Sequence, residues 1–150
     1  MGKIWKVPID GGEPIQLTDY IAQHPDISPD GKSIACTYLD QEPQPHWRMG
    51  IIPFTGGRPV KTLDLPASAI GTSYLQVFHW TPDGNAIDYV SSEGGSANIW
   101  SQPLSGGKPI RLTDFKAPYI FGFDISRDGK QIACALGRLP TDVVLIRNFR

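Results

Sequence analysis

The sequence predicts an all-β fold: a β-propeller of about three four-stranded antiparallel blades, and so a partial or half propeller. Three observations lead there. An Asp-Gly turn between two short apolar runs occurs three times, as Ser28-Pro29-Asp30-Gly31-Lys32, Thr81-Pro82-Asp83-Gly84-Asn85 and Ser126-Arg127-Asp128-Gly129-Lys130. A Gly-Gly turn alternates with it, at Gly11-Gly12, Gly56-Gly57 and Gly106-Gly107. No helical periodicity of useful length competes with the strand pattern. The Asp-Gly turns lie 53 and then 45 residues apart, and the Gly-Gly pairs 45 and then 50. Both intervals are about the length of a four-stranded propeller blade.

Each strand follows from the turns. Asp-Gly between apolar runs is a hairpin signal, because glycine tolerates the positive φ that such turns need. It joins a first, inner strand to a second: Asp26-Ile27 to 33–36, His79-Trp80 to 86–89, and Asp124-Ile125 to 131–134. The third strand is the Ile-Trp stretch (Ile4-Trp5, Ile99-Trp100), and the Gly-Gly turn leads from it to a fourth. Pro14, Pro59 and Pro109 each open a fourth strand, where an outermost position tolerates a residue with no N–H. The chain opens with a third and fourth strand (3–9, 15–18) and closes with a first, second and third (121–126, 131–136, 143–148). The whole is expected to be one propeller-type unit over residues 1–150, with a strand pair at 3–19, blades at 21–65 and 74–114, and an incomplete blade at 119–149. A ring of blades usually closes with four or more, so either the chain is the C-terminal half of a longer propeller or copies associate to complete a ring.

Composition agrees. Of 150 residues 40% are hydrophobic and 19% charged, an ordinary globular balance, and the 16 glycines and 14 prolines are spread as many short turns require. A net charge of −1 gives no footprint for nucleic acid or an anionic membrane. There is no apolar run long enough to span a bilayer and no apolar signal core at the N-terminus. Cys36 and Cys134 each fall six residues after their turn Asp, where the middle repeat has Tyr89. Equivalent positions in non-adjacent blades are too far apart to bridge, so both are expected to be buried free thiols.

The paired motifs, Ile-Trp-x-x-Pro-x-x-Gly-Gly-x-Pro-x-x-Leu-Thr and x-x-Ser-Pro-Asp-Gly-Lys-x-Ile-Ala, resemble the TolB-like propeller repeat over nearly the whole chain. Arg127 stands where the motif has Pro, and the middle Gly-Gly copy lacks the Trp and the Leu-Thr pair. The ending, 120–130 with 142–149, is also similar to the C-terminal blades of bacterial proteins that join such a propeller to a Ser/Thr kinase or winged-helix region. That resemblance implies a propeller lying outside the cytoplasm and acting as part of a larger sensor or scaffold.

Function is expected on the face opposite the stereotyped turns, where the connections 40–47, 66–76, 91–97, 116–121 and 137–141 vary. The channel mouth there would gather Tyr20, His24, Tyr74, Gln76, Tyr119 and Phe121, either to hold a peptide, a sugar or a partner loop or simply to close the inner ends of the blades. Trp47 and Arg48, after the Pro-rich Glu42-Pro43-Gln44-Pro45, form a candidate interface anchor. Asp26, His79 and Asp124 each precede a turn Asp by four residues and make a candidate channel ring for a cation, weighed against pairing within the strands. Asp30, Asp83 and Asp128, with Gly31, Gly84 and Gly129, are expected to be structural turns. No nucleophile elbow, zinc-binding motif or phosphate-cradling loop occurs. The expected function is a non-catalytic module binding a protein or peptide, without cofactor, nucleic acid or membrane insertion, with a homodimer as one way to complete the ring. The alternative is the propeller of an enzyme: a serine peptidase's gating propeller, or a glycosidase or lyase using Asp26 and Asp124.

Overall fold

A computed structural model of the chain describes residues 2–66, 68–69, 78–92 and 95–138. The twelve strands among these described residues form four antiparallel sheets in chain order. The first is a pair, β1 (Trp5–Lys6) and β2 (Ile15–Gln16). The second runs β3 (Ala22–Ile27), β4 (Ser33–Asp40), β5 (His46–Pro53), β6 (Lys61–Leu63), each strand bonded to the next. The third repeats this with β7 (Phe78–Trp80), β8 (Ala86–Ser91), β9 (Asn98–Pro103) and β10 (Ile110–Arg111). The fourth pairs β11 (Tyr119–Ile125) with β12 (Ile132–Gly137). The strand expected at 143–148 lies outside the described residues.

These are propeller blades, and the Asp-Gly turns show why the motif recurs. Gly31, Gly84 and Gly129 have φ of 71°, 71° and 69°, a region that a side chain disfavours. Asp30 Oδ1 accepts the Ser28 hydroxyl (2.7 Å) and the Lys32 N–H (3.0 Å), while Ser28 Oγ accepts the Ser33 N–H (2.9 Å). Thr81 with Asp83, and Ser126 with Asp128, make the same bonds at 2.6 Å. The three carboxyls are held below their usual pKa, first by these hydroxyl donors. The Leu-Thr ending is explained similarly. Thr18 Oγ1 accepts the Ile4 N–H at 3.0 Å and Thr113 Oγ1 accepts the Ile99 N–H at 2.9 Å, tying the fourth strand to the third.

The core lies between the blades, since a blade is covered on both faces. Ile34–Tyr38 is consequently buried without interruption, the mark of a strand packed on two sides. Alternate residues serve different seams. Ile34, Cys36 and Tyr38 pack with Ile4 and Leu17 of the first sheet. Ala35, Met49 and Ile51 pack with Phe78, Trp80, Ile87 and Tyr89 of the third. Val90, Ala97 and Ile99 of the third sheet pack with Ile120 and Phe123 of the fourth. Burying each large aliphatic side chain contributes about 1.5–3 kcal/mol, so these seams set the order of the blades. Cys36 is fully buried, but Cys134 is only partly covered, against the expectation of two buried thiols; its sheet has two strands among the described residues.

Candidate functional site at the inner strands

The inner strands β3, β7 and β11 carry Asp26, His79 and Asp124, and all three residues line one cavity of about 440 Å³. Asp26 Oδ2 accepts the backbone N–H of Trp80 at 2.8 Å, and the Trp80 indole donates to the Asp26 carbonyl at 3.0 Å. These bonds stitch the inner strand of one blade to the next. His79 Nδ1 lies 3.7 Å from Asp26 Oδ2, and its ring meets Phe123 edge-on (5.2 Å, 86°). One imidazole thus touches the blade before and the blade after. Its pKa is raised, first by Asp26 and further by the field of Asp124, against the opposing effect of burial.

The aligned set does not form the cation ring that its spacing suggests. Among the described residues no three His, Cys, Asp or Glu side chains come together as ligands. Asp26 is committed to Trp80, and Asp124 Oδ1 accepts the N–H of Ile125, its own neighbour, at 2.8 Å. Local backbone donors satisfy carboxylates that a metal would otherwise need.

The expected mouth residues divide. Tyr20 does not reach the channel. Its hydroxyl donates to the Gly57 carbonyl (2.9 Å), its ring packs edge-on to Tyr38 (5.9 Å), and the Arg58 guanidinium lies over it at 5.0 Å. Tyr38 lies on the second strand and Gly57 and Arg58 between the third and fourth, all in the packing beside the first sheet, so Tyr20 seals a seam; burial raises its pKa. His24 sits at an irregularity of β3, between Gln23 and Asp26, with φ of 54°. Its Nδ1 is 3.0 Å from Thr37 Oγ1, and burial lowers its pKa. This is no base–nucleophile pair, because Thr37 is 3% exposed and its hydroxyl donates to the Gln23 carbonyl at 3.3 Å. Tyr119 and Phe121 stack on each other at the start of β11 (6.1 Å, 26°), with Tyr119 exposed. Tyr74 and Gln76 lie outside the described residues.

Trp47 and Arg48 belong to β5 rather than to a loop, and Arg48 is not a free cation. Its guanidinium pairs with Asp40 at 3.1 Å and Asp64 at 3.4 Å. By the Gly-Gly spacing Leu63 stands where the other repeats have Thr18 and Thr113, so the middle blade lacks that hydroxyl, and Arg48 instead reaches Asp64 at the end of the fourth strand.

Two residues escaped the sequence reading. Trp80 stands three before its turn Asp, where the other repeats have Ile27 and Ile125. Asp88 stands five after it, where they have Ala35 and Ala133. Register comparison between repeats exposes both.

No family model matches the chain. Tricorn protease homolog 1 of Streptomyces coelicolor is 34% identical to it over 117 residues, 73% of this chain and 10% of that protein. The Tol-Pal system protein TolB of Francisella tularensis is 36% identical over 63 residues, 42% of this chain and 14% of that protein. The chain therefore spans a seventh or less of these curated relatives. Among solved structures, putative TolB from Agrobacterium tumefaciens superposes with a TM-score of 0.67 at 22% identity, over 88% of this chain and 44% of that one. TolB from Acinetobacter baumannii gives 0.56 at 23%, over 88% and 31%.

Proposed function

The chain is built of TolB-like β-propeller blades, and from that premise we propose that it is a non-catalytic module that binds a protein or peptide, as the C-terminal part of a larger sensor or scaffold. The observation that carries the reading is the shared cavity of the inner strands. Asp26, His79 and Asp124, from three consecutive blades, line it together with Ile27, Trp80, Ile125 and Arg127. Such a surface offers charge and shape to an inserted segment, and among the described residues no hydroxyl or thiol there is held by a base. Propellers host unrelated functions, so the site carries the argument rather than the fold.

The test is peptide selection on the purified chain, followed by anisotropy titration of the selected peptides against the chain and its Asp26→Asn/Asp124→Asn form. Asparagine still accepts from Trp80 and Ile125, so the fold is kept while both charges go. Saturable binding that weakens on the order of tenfold supports the reading, that being the scale of a charge-assisted hydrogen bond. Selected peptides that bind both forms equally would sink it. Light scattering on the same material reports whether two copies associate to complete a ring.

A second reading is favoured by the likeness to a tricorn protease homologue: a propeller that serves a peptidase. Such a propeller carries no nucleophile of its own, so saturable binding of unfolded casein without hydrolysis is expected of it, whereas hydrolysis of fluorogenic glycosides that vanishes in the double Asn form would favour a glycosidase.

A further inference from the structure

We propose that the cleft between the third and fourth sheets is a second binding site, one that takes a lysine or arginine side chain of a partner. The cleft holds about 730 Å³ and lies on the turn side of the seam, away from the Val90–Ile120 packing. Alternation along β8 decides which way Asp88 faces. Ile87 and Tyr89 pack toward the second sheet, so Asp88 and Val90 face the fourth. Asp88 lines the cleft, is 3% exposed, and its Oδ1 has no hydrogen-bond partner among the described residues.

Comparison of the two seams shows that this carboxylate replaces ordinary packing. In the seam between the second and third sheets the equivalent residues are Ala35, its cross-strand partner Ile51, and Trp80 from the next blade, all buried in one core. In the seam between the third and fourth sheets they are Asp88, its partner Ser101, and Ile125. An alanine has become a carboxylate, an isoleucine a serine, and an indole a smaller aliphatic. The Ser101 hydroxyl and the field of His79 offset its burial only in part: the pKa of Asp88 still rises and its Oδ1 has no partner among the described residues, and a carboxylate so held is costly to keep.

The walls fit a long basic side chain. Ile110 and Leu112, 59% and 42% exposed, border the same cleft with Ile125 and Ile132. An aliphatic stem would lie along this apolar wall with its cationic head at Asp88, the usual division of a lysine or arginine between apolar and polar surroundings. Asp83 and Asp128 also border the cleft, but their carboxylates are spent on their own turns. Arg127, at the rim, has no ion pair among the described residues and is the one internal competitor. This cleft adjoins the inner-strand cavity, sharing Pro82, Ile125 and Arg127 with it, but Asp88 lines only the cleft and Asp26, His79 and Asp124 only the cavity, so its test does not depend on that reading.

The experiment is an amide-shift titration of the full chain with N-acetyl-arginine methylamide, with the uncharged citrulline analogue as control. Saturable shifts on β8 and 125–132 are expected with the arginine probe, weakened on the order of tenfold by citrulline or by Asp88→Asn. Asp88→Ala, which restores the residue of the neighbouring repeats, serves if the asparagine form folds poorly. Arg127→Gln is expected to leave the affinity unchanged or tighten it. Equal response to both probes, no saturable response, or a response indifferent to Asp88 would overturn the proposal. A loss in Arg127→Gln as large as in Asp88→Asn would also overturn it.

Discussion

Asp88→Ala should stabilise the protein. The wild-type chain buries a carboxyl whose Oδ1 has no partner among the described residues, and desolvation raises its pKa above the ordinary 3.8. Leaving such a group unsatisfied costs about 1–3 kcal/mol, and truncation removes that cost. It leaves little new void, because Asp88 already borders an open cleft and the neighbouring blades carry alanine at this position. With about 2–4 °C per kcal/mol for a chain of this size, the gain is measurable by thermal or urea unfolding. Its pH dependence is diagnostic. A raised folded-state pKa means the folded chain keeps a proton that the unfolded chain releases. Wild type therefore loses stability as pH rises from about 3.8 through the folded value, and the loss is constant above that. The variant's advantage should be full at pH 7 and shrink toward acid. An alanine form no more stable than wild type at pH 7, or an advantage that does not shrink on acidification, would refute the assignment of a buried acid that Ser101 and His79 compensate only in part. If the arginine probe binds as proposed, the acid is kept at a cost in stability for the sake of binding.

Other outcomes follow from the same geometry. His79 faces Asp26, the field of Asp124 and Asp88 and, across the shared cavity, Arg127, and its pKa is raised above 6.5. Its contribution should be full below that value and lost as pH rises through the folded pKa; because the pair is partly exposed, it amounts to less than about 1 kcal/mol. Urea unfolding of wild type and His79→Gln at pH 5.5 and 8.5 should show the step in wild type alone. Gly56 has φ of 90°, and a Cβ there would sit 2.6 Å from the Leu17 carbonyl oxygen, whereas Gly57 has φ of 107° with open space beside it. Gly56→Ala should therefore cost about 2–4 kcal/mol and Gly57→Ala about 1–2, and equal costs in urea unfolding would discredit the contact. Burial pushes the Cys36 thiol up to about 12, while Cys134 is more exposed and less shifted. Ellman's reagent should label Cys134 first under native conditions, and prior labelling of Cys36 would contradict the packing.

The blades were legible in the sequence because their determinants are local. A positive φ at Gly31, a carboxylate two residues from a hydroxyl, and a proline at the start of an edge strand act within a few residues and recur at a fixed interval. The same locality explains where the site reading fell short. Spacing aligned Asp26, His79 and Asp124, yet it could not say that Trp80 of the next blade claims Asp26 or that Asp124 bonds its own neighbour. Tyr20 looked like a mouth residue until Gly57 and Tyr38 drew it into a seam. Trp47 and Arg48 followed a Pro-rich stretch but were drawn into a strand, where Asp40 and Asp64 hold the cation. The sequence by itself determined the repeat, the turns and the strand order, since each needs only neighbours along the chain. Tertiary structure alone decided which side chains meet, because the core clusters and both candidate sites lie between blades. Whether Asp88 sits against an alanine-like seam or a binding cleft depends on residues some 40 positions further along the chain, at 125–132.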